Sequence, residues 1–317
     1  MSAAAPPAVA HVLEEAASRF SVESGTSFRA DGAVRAVPSE GALLAALADA
    51  VYLRCHLRLL EEPASLGPDL RGREHPVFVD RLRRASAGGS YPEPGWLVVE
   101  AREDRVVVRR DGLSLVAAPH ELSGGPIREG ALLRLHLPAE RRYAVAGFYL
   151  TTGRAGPPAE GAPLRRLYVN PTSKAAPWAL GAITRRLNQS HLRFQCKALN
   201  DPAQYARPDG IVLYVGVDDL DQARELVLAS LDPRWLKRET PGFAGRLAEG
   251  IAWAAEPPPG PGGPVSLGQH RARLVAQGLL AARGAGEDGA GARLGAICAA
   301  LRSDGVDPAE PHAEAGA

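Results

Sequence analysis

Two hydrophobic periods divide the chain. Up to about residue 90 the apolar positions recur at helical spacing. Leu44, Leu47, Val51 and Cys55 follow Ser39, and Phe78, Val79 and Leu82 form a second stripe inside the basic segment 75–86. His11, His56 and His75 stand alone on these helices and read as satisfied or solvated residues. From 95 to 152 the pattern shifts to short runs separated by Asp-Gly and Gly-Gly turns: 96–100, 105–109, 113–117, 132–137 and 145–150. These predict a small antiparallel meander or barrel. The Gly- and Pro-containing stretch 152–163 then marks a boundary.

The second half alternates more regularly. Residues 166–170 and 192–197 each place apolar and polar side chains in turn, and between them Leu180, Ile183 and Leu187 stripe a helix over 179–187. Strand, helix and strand at this spacing predict a βαβ unit with parallel strands and the helix on one face. Leu167, Val169, Leu192, Phe194 and Cys196 then face the helix, whereas Arg166, Tyr168, Asn170, Arg193, Gln195 and Lys197 share the other face. Two strands washed by solvent would alternate in the same way; a lysine, arginines and a tyrosine on one sheet face would equally form an anion pocket. A third strand is expected over 211–215 and a helix over 220–231. Ser266 and Gln269 have capping-box spacing and start a helix carrying His270 and Arg271, either an ordinary capped helix or an anion-binding N-terminus. Leu294, Ile297, Cys298 and Leu301 mark the last helix, and a flexible tail is expected from 304.

The fold class is therefore α+β. An N-terminal helical and small antiparallel β domain (1–152) would serve as an accessory or docking module, and an α/β domain (163–303) would follow. Composition adds exclusions. A net charge of +1 over 317 residues argues against general nucleic-acid binding, and no apolar run is long enough for a signal peptide or membrane span. Three cysteines, odd in number and far apart without a zinc-ligand spacing, fit a reducing cytoplasm and no metal site. Lysine is rare: Lys174, Lys197 and Lys237 stand against 34 arginines. A desolvated lysine can lose its proton and act as a base, which arginine cannot. Lys197, on the strand, is the leading candidate; the bland alternative is three solvated lysines.

Taken together, Arg166-Leu167-Tyr168-Val169-Asn170, Lys197-Ala198-Leu199-Asn200-Asp201-Pro202, Tyr205-Ala206-Arg207-Pro208-Asp209 with Val212-Leu213-Tyr214, and Ser266-Leu267-Gly268-Gln269-His270-Arg271 resemble the HopA-type effector-domain family over roughly residues 140–310. The family includes plant-pathogen effectors and proteins of class V lanthipeptide and thioamitide biosynthesis. It looks distantly related to phosphothreonine lyases and to the lyase domains of class III lanthipeptide synthetases. The resemblance implies a cofactor-independent lyase that eliminates phosphate from phosphoserine or phosphothreonine of a precursor peptide phosphorylated by a kinase-like partner. It implies Lys197 as the base and Arg166, Arg207 and Arg271 as phosphate ligands, with Tyr214 in the site. Where the lyases carry an acidic histidine this chain has Tyr168, so the acid is Tyr168 or His270. Asp201 and Asp209 would orient Lys197 or Arg207, or Asp201 would only form a turn, and Asn170 supports the same sheet face. Members tend to carry Thr-Lys where this chain has Ala244-Gly245, so Arg246 would have to compensate. The alternative is a non-catalytic phosphopeptide- or leader-binding scaffold.

Overall fold

The first ninety residues are not all helical. The computed structural model describes residues 10–59, 74–258, 263, 265–286 and 289–313. Helix α1 (His11–Arg19) runs directly into a meander of β1 (Phe20–Ser24), β2 (Ser27–Ala30) and β3 (Ala33–Ala36). The β2–β3 hairpin turns on Asp31-Gly32, with φ of +50° and +83°, the twist that a two-residue hairpin loop requires. Helix α2 (Glu40–Val51) buries Leu43, Leu47 and Val51 and then unwinds into a π-helical turn, Tyr52–His56. Helix α3 (Pro76–Ala85) is capped by the His75 ring, which accepts from the Phe78 N–H.

The expected meander is a five-stranded antiparallel sheet. It comprises β4 (Ser90–Ala101), β5 (Val106–Arg110), β6 (Leu113–Ala117), β7 (Leu122–Ser123) and β8 (Leu132–Pro138), in the order β6-β5-β4-β8-β7, around Trp96, Val98, Val106, Val108, Leu133 and Leu135. The next two strands, β9 (Glu140–Arg141) and β10 (Phe148–Thr152), do not join it. They complete a seven-stranded sheet with β11 (Leu164–Val169), β12 (Phe194–Leu199), β13 (Ile211–Gly216), β14 (Gly245–Ala248) and β15 (Ile251–Ala255), ordered β14-β15-β11-β13-β12-β10-β9. The stretch 152–163 thus links two strands of one sheet.

Helix α4 (Ala176–Gln189) connects β11 to β12, and those strands are parallel to one another, but they are not neighbours. β13 lies between them and is antiparallel to both, so the unit is a split βαβ. The assignment of faces holds: Leu167, Val169, Phe194 and Cys196 pack against α4 and α5 (Leu220–Ser230) with the α3 residues Phe78 and Leu82. Tyr168, Val212, Ala252 and Ala254 belong to the opposite core, built by α1, α2, β1, β2, α6 (Leu267–Gly284) and α7 (Ala290–Ser303). Residues from 10 to 57 are therefore continuous with the C-terminal core. The tail expected to fray from Asp304 is bound as far as 313. Val306 is buried, Pro308 accepts from the Ala10 N–H, and His312 accepts from the Ala255 N–H.

Candidate functional site

Strand pairing aligns Tyr168, Val212 and Lys197 in one row across β11, β13 and β12. Two strand spacings separate the tyrosine from the lysine, roughly 9–10 Å between their backbones. Two residues along, on the same face, Tyr214 on β13 is flanked by Arg166. Above this row lies a cavity of about 200 Å³ whose sheet-side lining is Phe148, Arg166, Tyr168, Lys197 and Val212. Arg207 and Asp209, from the loop entering β13, close one side. Lys237 fixes that loop by donating to the Tyr205 carbonyl at 2.6 Å.

The charges are arranged in pairs with one cation over. The Arg166 guanidinium forms a two-pronged bond to the Glu256 carboxylate, and Arg207 grips Asp209 through two bonds of 2.6 Å. Lys197 forms no ion pair among the described residues. Its Nζ sits 4.5 Å from the centre of the Phe148 ring and 5.4 Å from that of Tyr214. Burial, reinforced by the Arg166 charge, lowers its pKa to about 8. Burial would raise the Asp209 carboxyl, but the Arg207 guanidinium overrides this and holds it below the usual range. Burial pushes the Tyr214 phenol up to about 12 and the Tyr168 phenol higher still, so both stay protonated at neutral pH. The Tyr168 hydroxyl is buried beside the Arg166 guanidinium, with no well-formed hydrogen bond among the described residues.

The roof comes from the other end of the chain. Tyr52 and His56 of the π-helical turn line the cavity. The His56 ring is stacked between Tyr52 and Phe243 at centroid distances of 5.5 and 5.7 Å, and meets Tyr168 edge-on at 6.2 Å. Burial drops its pKa to about 3, so the imidazole is neutral, and its Nδ1 has no hydrogen-bond partner among the described residues. The N-terminus of α6 approaches beside it and contributes Ser266 and Gln269 to the lining. The Ser266 Oγ accepts from the Gln269 N–H at 3.2 Å, as the capping-box spacing requires. Gly268 allows the approach: a Cβ there would lie 2.2 Å from Cδ2 of His56. A helix N-terminus, an unpaired lysine and two arginines make a site suited to an anion.

Of the residues expected from the sequence, Arg166, Tyr168, Lys197, Arg207 and Asp209 line the cavity and Tyr214 stacks against two of them. The others serve elsewhere. Arg271 is buried and gives its guanidinium to the Pro311 and Ala313 carbonyls, locking down the C-terminal segment. His270 touches Arg271 at 2.8 Å and Asp304 at 3.4 Å, and burial lowers its pKa. Arg246 is exposed on β14. Asn170 ties the β11 end to the Glu239 carbonyl, and Asp201 caps a turn through the Ala203 N–H. Tyr52, His56 and Phe148 were not anticipated: the first two lie on a helix whose lone histidine read as a satisfied or solvated residue, and a π-turn has no sequence signature. Among the described residues, no group of His, Cys, Asp and Glu is placed to hold a metal, and no helix is long and apolar enough to cross a membrane.

The structure of the effector protein from Pseudomonas syringae pv. syringae strain 61 is similar over 96% of this chain and 96% of its own, with a TM-score of 0.50 at 16% identity. The effector protein from Pseudomonas syringae pv. tomato strain DC3000 matches 84% of this chain and 90% of its own, with a TM-score of 0.47 at 14% identity. No curated protein matches the chain. Residues 139–313, more than half of the sequence, match the HopA1 effector protein family. The chain belongs to that family.

Proposed function

We propose that the cavity binds the phosphate of a phosphoserine or phosphothreonine side chain and eliminates it, leaving dehydroalanine or dehydrobutyrine. The observation that carries this reading is Lys197: a largely buried lysine titrating near 8 beside two arginines already held in place by carboxylates. Neutral Nζ takes the Cα proton, the electron pair forms the Cα–Cβ double bond, and the Cβ–O bond breaks. The departing phosphate is held by Arg166, Arg207 and the α6 N-terminus, where negative charge develops. Tyr168 donates its phenolic O–H to the leaving oxygen. The phosphate leaves with the Tyr168 proton, and the proton taken by Lys197 then returns to the phenolate through solvent, so the net loss is one phosphoric acid and both side chains are reset. The substrate is a ribosomally made precursor peptide phosphorylated by a kinase-like partner, as in lanthipeptide or thioamitide maturation.

A second reading, a phosphopeptide-binding scaffold without elimination, is favoured by the positions of Arg246 and Arg271 outside the cavity, which leave fewer cations than the resemblance implies. Mass spectrometry of a phosphorylated precursor incubated with the protein separates the two. Elimination removes about 98 Da, and Lys197→Ala slows it by about 10²–10⁴-fold. Binding with unchanged mass, with and without the partner kinase, establishes the scaffold. Undiminished elimination by Lys197→Ala refutes Lys197 as the base.

A further inference from the structure

On the sheet face opposite the cavity, two helices align complementary stripes. Helix α3 presents Val77, Arg81 and Arg84, one and two turns apart, and α4 presents Trp178, Ala182 and Arg185 at the same spacing. Two hollows flank α3, the first of them shared with α4. One, of about 280 Å³, is bounded by Arg84, Trp178, Arg185 and Trp235; the other, of about 250 Å³, by Val77, Arg81 and Lys174. Arg81, one turn from Arg84 on α3, reaches the Lys174 carbonyl at 3.4 Å at the wall of the second hollow. Gly181 sets the depth, since a Cβ there would lie 2.7 Å from the Ala85 carbonyl oxygen.

The apolar floor is exposed. Trp178 is 58% and Val77 68% accessible, and the Trp178 and Trp235 rings lie 6.5 Å apart, tilted by 38°. Arg81, Arg84, Lys174 and Arg185 border it. The nearby carboxylates are engaged: Asp80 by Arg83 and Arg84, Asp232 by Arg234. Exposed tryptophan ringed by arginine is the composition of an interface hot spot, and the excess positive charge selects a negative partner.

We infer that the α3–α4 groove docks an acidic peptide segment of a partner, with an aromatic or aliphatic side chain between Trp178 and Trp235 and its carboxylates over Arg81, Lys174 and Arg185. An indole-lined hollow with a second hollow farther along the same helix and basic side chains at both suits an extended acidic peptide better than a nucleic-acid backbone. The docking site is separate from the phosphate cavity and stands whether or not that cavity is catalytic.

The test is fluorescence anisotropy with the full-length protein and a short labelled peptide of glutamates around one phenylalanine. The expected result is salt-sensitive binding that weakens about tenfold or more in Trp178→Ala and in Arg185→Glu and is unchanged in Lys197→Ala. Both groove substitutions are at exposed positions, and an unchanged melting curve verifies folding. Equal binding of the peptide with lysine in place of glutamate, or equal affinity in the groove variants, overturns the proposal. A groove-dependent preference for a single-stranded oligonucleotide also overturns it. So does sedimentation showing a dimer that Trp178→Ala dissociates, because the occupant is then a second copy.

Discussion

Replacing Lys197 with methionine removes a buried charge while keeping the side chain's bulk over Phe148 and Tyr214. The lysine titrates near 8 in the folded protein against an ordinary value of 10.5. A difference of about 2.5 pH units, at about 1.36 kcal/mol per unit, makes the folded state roughly 3 kcal/mol less favourable when both states carry the proton. The sign follows from proton counts. Below pH 8 folded and unfolded chains are both protonated and the full cost is present. Between 8 and 10.5 the unfolded chain binds the proton that the folded chain has released, so stability rises with pH; above 10.5 both are neutral and the cost is gone. Lys197→Met has no such ionisation. The stability of the native protein relative to the variant is therefore expected to rise by roughly 3 kcal/mol between pH 7 and 11, read from urea midpoints at a series of pH values. The comparison cancels every other titrating group common to the two chains. A difference that does not change with pH would show that Lys197 titrates at its ordinary value. It would also remove the argument for a base, because the lowered pKa is what raises the neutral fraction at pH 7 by about 300-fold.

Glu256→Gln leaves Arg166 without its carboxylate; a loss of about 2 kcal/mol is expected in denaturant titration, and the rise in stability governed by Lys197 should begin at lower pH because Glu256 raises that pKa. Ser266→Ala removes the α6 cap at a cost of about 1 kcal/mol in thermal unfolding, whereas Ser266→Asp keeps the cap but places a carboxylate at the cavity, so the melt is restored while phosphopeptide affinity falls. Gly268→Ala sets a methyl against the His56 ring and should destabilise the fold, and adding His56→Ala should recover part of that loss in a double-mutant cycle. Cys55, Cys196 and Cys298 are all buried and the first two are pushed up to about 12 by burial, so a thiol reagent at pH 8 should label none of them until denaturant is added.

The strand alternation around Lys197 was legible because a period of two fixes which side chains share a face, whatever the pairing partner. The partner itself was not: nothing local in 164–169 or 194–199 records that β13 inserts between them, since that contact is set by the distant 211–216 segment. The Asp-Gly turn at 111–112 marked the β5–β6 hairpin, and the same dipeptide at 31–32 makes the β2–β3 hairpin, although the helical stripes around it hid the signal. Arg271 shows the limit for charged residues. Its position near a helix N-terminus was legible, but helical phase turns the side chain toward 311–313, so the guanidinium satisfies backbone carbonyls instead of an anion. The roof was invisible for a different reason, because Tyr52 and His56 reach the sheet only through the packing of α2 on α6.

That roof also accounts for a tyrosine where the lyase resemblance implies a histidine. His56, enclosed beside Tyr168, is held neutral by burial, with its pKa near 3. An imidazole at position 168 would meet the same desolvation and the Arg166 charge, both of which penalise imidazolium, and would lose the proton it was meant to deliver. A phenol in that place carries its proton as a neutral group, and burial raises its pKa, so the O–H remains available at every physiological pH. The cost is acid strength. Phosphate tolerates that cost as a leaving group, since the surrounding arginines and the α6 N-terminus stabilise the departing charge. In the proposed elimination the demanding step is then removal of the Cα proton, and the cavity's desolvation acts on the residue that performs it: the enclosure that keeps Tyr168 protonated also brings Lys197 to a pKa near 8.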